Sequence, residues 1–281
     1  MTRHSQATPD VHHEHAAILG VAVSAVNMRV SIGTADRWIA AGRPGYVCVS
    51  GVHGVMEAQR DPALRTVLNR AVMNVPDGMP MTWVGRLQGH REMDRVFGPD
   101  FMSALCELSR ERGYRHFLYG GQPGVAQELK EVLERKFPGL HVVGAYTPPF
   151  RPLNADEEQE FLERVEISRP DIVWVGLSTP KQEHFMARYV DRLRVPLLVG
   201  VGAAFDYHTG RLRDCAPWIK RAGLQWLHRL FQDPKRLGPR YLRNNPAFVW
   251  KMALQLLKLR HHSVTLDSSG SDLATQREVR S

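Results

Sequence analysis

The sequence predicts an α/β fold with a doubly wound, mostly parallel sheet, followed by a basic helical appendage at the C-terminus. Short apolar runs rich in Val, Ile and Leu alternate with longer amphipathic runs from residue 18 to residue 199. This is the pattern of a parallel sheet covered by helices on both faces. Glycine- and proline-rich segments follow several of the apolar runs, as expected at strand-to-helix connections. These observations place the chain in the Rossmann-like class.

The clearest connection lies at residues 172–183. A buried strand is predicted from Ile172 to Gly176, and a helix then begins with Thr179 as its N-cap and Pro180 as its first residue. In open α/β sheets, ligands bind at the carboxyl ends of the strands, where helix N-termini offer free N–H groups to phosphates. The connections are therefore where a functional site is expected.

The other elements follow from the same periodicity. Strands are predicted at 18–24, 46–50, 71–75, 116–119, 140–146 and 195–199, and helices at 30–41, 52–59, 62–70, 81–87, 101–112, 125–136 and 156–168. The resulting organisation is a disordered tail over 1–15, a Rossmann-like α/β domain over 16–210, a basic amphipathic appendage over 211–262 and a second disordered tail over 263–281.

Composition excludes several classes of protein. Cys48, Cys106 and Cys215 match neither a CxxC pair nor a zinc spacing, which favours free thiols in the cytoplasm. No segment reaches the roughly 18–20 apolar residues of a membrane span, and the N-terminus lacks the apolar core of a signal peptide. We therefore expect a cytoplasmic protein, peripheral on the inner face of the membrane if it meets one.

The net charge of +8 is concentrated near the C-terminus, because residues 211–262 carry twelve Lys and Arg against two Asp. Helices with Trp and Phe on one side and Lys or Arg on the other bind anionic membrane surfaces. The alternative is that Trp218, Trp226, Leu227 and Leu230 pack on the core while the charges face water. A nucleic-acid binder ranks last, because the appendage contains no recognisable nucleic-acid module.

Polar residues and glycines at the strand-to-helix connections form the candidate functional site. Asp77 directly follows a strand, where it can cap the next helix or serve as a general base that takes a proton from an attacking hydroxyl. Gly120 and Gly121 allow the backbone to approach a diphosphate closely, or simply form a tight turn. Asp206 follows the last strand, where it can contact a ribose or base edge or cap a turn.

Two further candidates are less distinctive. Arg95 can neutralise a phosphate, although most lone arginines are merely solvated, and Gln182 lies in the first helical turn, where a solvent-exposed glutamine is ordinary. The chain lacks a phosphate-binding P-loop, a nucleophile elbow, an HExxH pair and a DxD carboxylate pair. No metal site is therefore predicted.

Short motifs follow one another in a fixed order along residues 18–241. They are PDGMP at 76–80, RVFGPD at 95–100, FLYGG at 117–121, GVA at 124–126, PDI at 170–172, VGL at 175–177, PKQE at 180–183, GVGAAFD at 200–206, APW at 216–218, GLQWLHRL at 223–230 and DPKR at 233–236. Any one motif is weak evidence, but the ordered set resembles the WecG/TagA/CpsF family of glycosyltransferases.

The resemblance implies a metal-independent, inverting transferase of the cytoplasmic membrane face. Such enzymes move a sugar, often N-acetylmannosamine, from a UDP donor to a polyprenyl-diphosphate-linked glycan during surface polysaccharide synthesis. The expected partners are the UDP-sugar, the lipid-linked acceptor, an anionic membrane surface through residues 211–262 and a second copy of the chain in a homo-oligomer. No cofactor, metal or nucleic acid is expected.

The resemblance also implies residue roles at the matching positions. The catalytic residues would be Asp77, Arg95 and Gln182, with Asp77 as the base that deprotonates the acceptor hydroxyl. The donor would be bound by Gly51, Gly120, Gly121, Gly176, Gln182 and Asp206, the last at the uridine. The diphosphate and acceptor would be bound by Arg95, Arg229 and Arg236, the latter two folding over the site from the appendage.

The chain departs from the family pattern at three positions. Gly51 stands where family members usually carry Asn, so it offers no amide to the donor sugar, although His53 is near enough to substitute. Cys215 replaces the usual Arg and Gln225 the usual Glu, which suggests an internal ion pair lost as a unit. Gly51 favours the alternative function, a catalytically altered nucleotide-sugar binding protein of the same fold.

Overall fold

A computed structural model describes residues 13–264. It opens with an antiparallel hairpin of β1 (His15–Ile18) and β2 (Val21–Ser24). The prediction of one strand over 18–24 is wrong, because Leu19 and Gly20 have positive φ values of 52° and 81° that reverse the chain. The predicted disordered tails lie outside the described residues except at their inner ends, and His15 already belongs to β1.

Strands and helices then alternate along the α/β domain. They are α1 (Met28–Ala40), β3 (Tyr46–Ser50), α2 (Val52–Ala58), α3 (Pro62–Asn69), β4 (Met73–Pro76), α4 (Met79–Leu87), α5 (Gly98–Arg112), β5 (Arg115–Gly120), α6 (Val125–Lys136), β6 (His141–Tyr146), α7 (Ala155–Ser168), β7 (Ile172–Gly176), α8 (Lys181–Leu193), β8 (Leu197–Gly200) and α9 (Ala204–His208). The appendage consists of α10 (Pro217–Arg221), α11 (Gln225–Gln232) and α12 (Pro234–Leu256).

One parallel sheet organises the domain. Its six strands have the order β4-β3-β8-β7-β5-β6, and each neighbouring pair is parallel. Alternate residues of β7 enter opposite layers: Ile172 and Trp174 pack with α1, α5 and α6, whereas Val173 and Val175 pack with α2, α3 and α8. Burial on both faces explains why the strand is apolar throughout. The predicted doubly wound α/β architecture is confirmed.

The connection from β7 to α8 differs from the prediction. Pro180 occupies the cap position and Lys181 is the first helical residue, so the prediction of Thr179 as N-cap is wrong. The Thr179 hydroxyl instead donates to Glu183 Oε1 at 2.8 Å. This bond fixes Glu183, and with it the first turn of α8, at the carboxyl end of the sheet.

The helices of the appendage differ in how much of their surface they bury against the rest of the protein. Phe248 and Met252 of α12 join the core beside α2, and Arg60 donates to Asn244 Oδ1 of α12 at 2.9 Å. The structure describes all of α10 and α11, and none of their residues is fully buried. The alternative that these side chains pack on the core is wrong for the exposed Trp218 and Trp226, whereas Leu227 and Leu230 are partly buried. No helix within residues 13–264 combines the length and apolar character needed to cross a membrane.

Candidate active site

The carboxyl ends of the strands and the appendage enclose a cleft of about 1360 Å³. The residues that line it directly after β3, β4, β5, β7 and β8 include Gly51, Asp77, Gly121, Gly176 (at the end of β7) and Gly202. Arg229, Arg236 and Arg240 line it from the appendage. The structure therefore brings most of the candidate residues to one place, as expected for strand ends in an open α/β sheet.

Asp77 lies at the floor of the cleft where β4 ends. Its N–H donates to the Ser50 carbonyl of β3 at 2.8 Å, and the positive φ of Gly78, 95°, turns the chain into α4. The N-cap of α4 is Gly78, so the capping alternative for Asp77 is wrong. The side chain is 33% exposed and faces the cleft, where it can meet a substrate hydroxyl.

Two guanidinium groups and one acid surround the Asp77 carboxylate. Burial raises its pKa above the ordinary aspartate value, Arg95 and Arg229 oppose this rise, and Asp100 adds to it. Arg95 Nη2 lies 3.7 Å from Asp77 Oδ1, which is close enough for attraction but longer than a charge-assisted hydrogen bond. A carboxylate held this way keeps lone pairs free to accept a proton.

Arg95 is nearly buried, with 10% of its side chain exposed. Its guanidinium stacks 4.4 Å from the centre of the Phe97 ring and donates to Gln225 Oε1 of α11. Its Nε is buried without a hydrogen-bond partner among residues 13–264. Arg95 is therefore a preorganised cation with spare donor capacity, as an anionic substrate group requires.

Gln182 is 2% exposed, so the alternative of a solvated glutamine is wrong. Its Nε2 donates to Glu183 Oε1 at 3.1 Å, and its Oε1 is buried with no partner in the described part of the chain. A Cβ at Gly200 would lie 3.1 Å from Gln182 Nε2, so the glycine makes room for the amide. Glu183, missed in the sequence, fixes the orientation of this amide from beneath the cleft.

The candidate glycines do not all share one role. Gly51, Gly121 and Gly176 line the cleft, whereas Gly120 lies outside its lining. Gly120 has φ of 120°, and a Cβ there would lie 2.6 Å from the Gly176 carbonyl oxygen, so it permits close packing of β5 on β7. A Cβ at Gly51 would lie 2.8 Å from the Asp77 carbonyl oxygen, so an Asn here would displace the Asp77 peptide.

Asp206 lies on α9 at the rim of the cleft that faces the appendage. Burial raises its pKa, and Arg211, Arg236 and Arg229 oppose the rise in that order. The acid is therefore partly buried and close to cations, and the N-cap of α9 is Ala203 rather than Asp206. The described residues contain no group of three or more His, Cys, Asp or Glu side chains that converge on one point.

Known proteins resemble this chain over most of the described residues. The family model described as the glycosyl transferase WecG/TagA/CpsF family matches residues 16–262. The chain belongs to this family. Two curated relatives, both called N-acetylglucosaminyldiphosphoundecaprenol N-acetyl-beta-D-mannosaminyltransferase, come from Bacillus spizizenii and Bacillus subtilis. The first is 30% identical over 180 residues, 64% of this chain and 68% of the relative. The second is 26% identical over 170 residues, 60% of this chain and 64% of the relative.

As a WecG/TagA/CpsF family member the protein is a glycosyltransferase, and its appendage supplies cations to the cleft. Arg229 lies 5.9 Å from the centre of the Tyr207 ring, and its Nε is buried without a partner in the described chain. Arg236 is more exposed and its Nε donates to Asp233 Oδ2 at 2.5 Å. The two arginines therefore differ: the Arg229 side chain lies in the cleft, whereas the Arg236 side chain lies at the cleft opening and is paired with Asp233.

One cation of this glycosyltransferase was not predicted from the sequence. Arg240 lines the cleft, and its Nε is another buried atom that lacks a partner in residues 13–264. Burial lowers its pKa, and repulsion by Arg229 and Arg236 adds to this. The sequence does contain a signal for Arg240, because this residue follows Arg236 by four positions and a helix places such pairs on one face.

His53 joins the catalytic domain to the appendage. Its ring Nδ1 lies 3.1 Å from Asn244 Nδ2, which requires a neutral ring that accepts the bond. Burial lowers the pKa of His53 to about 4, and the positive charge of Arg240 lowers it further. His53 lines the cleft two residues beyond Gly51, so it lies near the position where the family's amide is absent.

Proposed function

We propose that the protein transfers N-acetylmannosamine, or a closely related hexose, from a UDP donor to a polyprenyl-diphosphate-linked N-acetylglucosamine acceptor. The observation that carries this proposal is the Asp77 carboxylate, whose pKa is raised by burial, at the floor of a cleft ringed by arginines. The names of the two Bacillus relatives supply the acceptor and the sugar. The reaction belongs to surface polysaccharide synthesis.

Asp77 acts as the general base in a single displacement. Its carboxylate takes the proton of the acceptor hydroxyl as the hydroxyl oxygen attacks the anomeric carbon. The bond from that carbon to the diphosphate oxygen breaks as the new glycosidic bond forms, so the configuration at carbon inverts. A carboxylate with a raised pKa is a stronger base than an ordinary aspartate, which favours this step.

The arginines supply the electrostatic part of the mechanism. The departing diphosphate gains negative charge, and fixed cations in a shielded cleft stabilise such charge better than water does. Arg95 and Arg229 lie on the Asp77 side, and Arg236 and Arg240 approach from α12. We propose that these groups replace a metal ion, that Gln182 orients the donor sugar and that Asp206 contacts the uridine.

An apolar trough between α4 and α12 suits the lipid part of the acceptor. Its cleft-lining side chains include Trp83, Leu87, Trp226, Val249 and Leu256. Both helix ends are fixed to one residue, Ala17. Gln88, the C-cap of α4, accepts from the Ala17 N–H at 2.9 Å and donates to the Ala17 carbonyl at 2.8 Å, and Gln255 of α12 donates to the same carbonyl at 2.6 Å. We assign this trough to the first isoprene units, which places the acceptor sugar near Asp77.

Turnover of defined substrates tests the proposal. We expect the purified protein to release UDP from UDP-N-acetylmannosamine only when a lipid-diphosphate-linked N-acetylglucosamine is present, and to do so in excess EDTA. A panel of other UDP-hexoses measures donor choice. Absence of turnover with every donor would contradict the function, and loss of turnover in EDTA would contradict metal independence alone.

Gly51 supports a second candidate, a nucleotide-sugar binding protein without transferase activity. The residue offers no side chain to the donor, and a Cβ at this position would lie 2.8 Å from the Asp77 carbonyl oxygen, which leaves no room for one. Tight UDP binding by calorimetry, together with no UDP release from any donor, is the result that would favour this candidate. Measurable release excludes it.

We also propose that residues 211–262 bind an anionic membrane surface on the cytoplasmic face. Trp218 and Trp250 are 62% and 67% exposed, and exposed aromatic residues beside Lys and Arg suit the boundary between headgroups and acyl chains. Each basic residue near such a surface contributes about 1 kcal/mol before salt screening. Assembly into a homo-oligomer stays a prediction.

Vesicle sedimentation tests the membrane proposal. The protein is expected to bind vesicles containing phosphatidylglycerol, to bind neutral phosphatidylcholine vesicles weakly, and to dissociate as salt is raised. Trp250→Ser should reduce binding about ten- to a hundredfold, because about 1.5–3 kcal/mol of apolar burial is at stake. The matched control is Ile167→Ser on α7, also highly exposed at 82% but outside the appendage. Equal losses in both variants would contradict the proposal.

A further inference from the structure

Gln225 connects the appendage to the catalytic pair. It is the first residue of α11, and its Oε1 accepts a hydrogen bond from the Arg95 guanidinium, 130 residues away in the chain. The same Nη2 atom of Arg95 lies 3.7 Å from Asp77 Oδ1. The guanidinium is thus shared between an amide oxygen of the appendage and the carboxylate of the catalytic domain.

This sharing of the guanidinium depends on Gln225 being uncharged. An amide oxygen accepts one hydrogen bond without cancelling the positive charge of Arg95, whereas a carboxylate would form an ion pair with it. Without any acceptor at this place, the guanidinium is free to close the 3.7 Å gap and bind Asp77 directly. Such a pair would occupy the lone pairs that must accept the substrate proton.

A second neutral residue, Cys215, lies within the electrostatic influence of Arg95. Cys215 is buried, and burial raises the pKa of its thiol while Lys220 and Arg95 oppose the rise. Among residues 13–264, Asp77 is the carboxylate within salt-bridge range of the Arg95 guanidinium. The Arg95 guanidinium thus donates to an uncharged amide, and its charge is left for Asp77 and for an anionic substrate.

The start of α11 is held at this place by a close backbone contact. Gly223, two residues before Gln225, has φ of 72°, and a Cβ there would lie 2.7 Å from the Trp83 ring of α4. The absence of a side chain at Gly223 therefore lets the backbone lie against the Trp83 indole ring. Because this contact fixes the entry to α11, it sets the distance from Gln225 to Arg95.

We propose that Gln225 is a positioning residue that holds Arg95 beside the Asp77 carboxylate without letting it bind there, so that docking of α11 sets the strength of the base. The inference rests on the proposed function, since it concerns the same reaction. The charged or titratable groups that act on Asp77 or feel its charge are Arg95, Arg229, Asp100 and Tyr207, and Gln225 acts through the first of them.

Opposite substitutions at Gln225 test the proposal. Gln225→Glu should bind Arg95 as an ion pair and add a negative charge, so the pKa of Asp77 rises. Gln225→Met should release Arg95 onto Asp77, so the pKa falls. The readout is the carboxyl ¹³C resonance of Asp77 in Asp-labelled protein, assigned by its loss in Asp77→Asn. The acid limb of kcat/KM should shift in the same two directions, so kcat/KM measured on that limb should fall for Gln225→Glu.

Compensation separates positioning from a general loss of structure. Cys215→Arg combined with Gln225→Glu supplies the new carboxylate with its own cation, so the pKa of Asp77 and the acid limb should return toward the wild type. Gln127→Glu makes the same charge change at an exposed position of α6 outside the cleft lining and should leave both unchanged. Shifts in the same direction for Gln225→Glu and Gln225→Met, or none beyond that of Gln127→Glu, would overturn the inference.

The two readouts also separate this inference from the proposed function. Opposite shifts of the Asp77 resonance without turnover of any donor would support the positioning role and contradict the transferase. Turnover with an unmoved resonance and acid limb would support the transferase and overturn the positioning role.

Discussion

Asp77→Asn is expected to reduce transfer about a thousandfold while leaving UDP binding intact. Removal of a general base costs about 10² to 10⁴ in rate, because the attacking hydroxyl must then lose its proton to water. In the wild type, kcat/KM should rise with pH through a pKa above the ordinary aspartate value, since burial raises that of Asp77. Initial rates of UDP release between pH 4 and 8 measure both effects.

Thermal unfolding shows whether this loss concerns chemistry or folding. Because the folded-state pKa of Asp77 is raised, the stability linked to its protonation is present at low pH and is lost as pH rises through that pKa. A neutral Asn avoids this loss, so the variant should melt no lower than the wild type at pH 7. Asp191→Asn, at an exposed position of α8, is the control that should keep full activity. A variant Asp77→Asn with near-normal turnover would exclude Asp77 as the base.

Arg229→Ala is expected to lower kcat about a hundredfold. Its guanidinium is directed into the cleft with a buried Nε that finds no partner in the described residues, and removal of one preorganised donor from a developing anion costs about 10² to 10³ in kcat. Arg229→Lys should recover only part of the loss, because an ammonium group lacks the planar fork of donors. Single-turnover kinetics with saturating donor measure the chemical step.

The matched control for Arg229 is Arg243→Ala, a change of the same type at an exposed position of α12 outside the cleft lining. With a detergent-solubilised acceptor this control should retain full activity, because no membrane surface takes part. Equal kcat values for the two variants would show that Arg229 does not stabilise the leaving diphosphate.

Local sequence signals were sufficient for most of the fold. The predicted strand 46–50 and helix 125–136 coincide with β3 and α6, because an apolar run and a glycine boundary define each of them. The hairpin was missed because its turn depends on the positive φ of Leu19, a conformation that leucine rarely adopts. The Thr179 prediction failed because its hydroxyl bonds to Glu183 rather than to the helix backbone.

The site was predictable where a residue's place in an element determines its role. Asp77 was found because it follows a strand end, and strand ends meet at one edge of a parallel sheet. The burial of Gln182 was not predictable, since it results from packing against Gly200, which is eighteen residues away in sequence. The link from Gln225 to Arg95 spans 130 residues, so only the folded chain shows it.

The uneven attachment of the appendage has an energetic consequence. Helix α12 is anchored in the core by Phe248 and Met252, whereas α10 and α11, both fully described, bury no residue. Segments with few buried contacts open locally at a small fraction of the global unfolding free energy. We therefore expect the part of the chain that carries Gln225 and Arg229 to open to a lipid-linked sugar at a lower cost in free energy than the sheet and its covering helices.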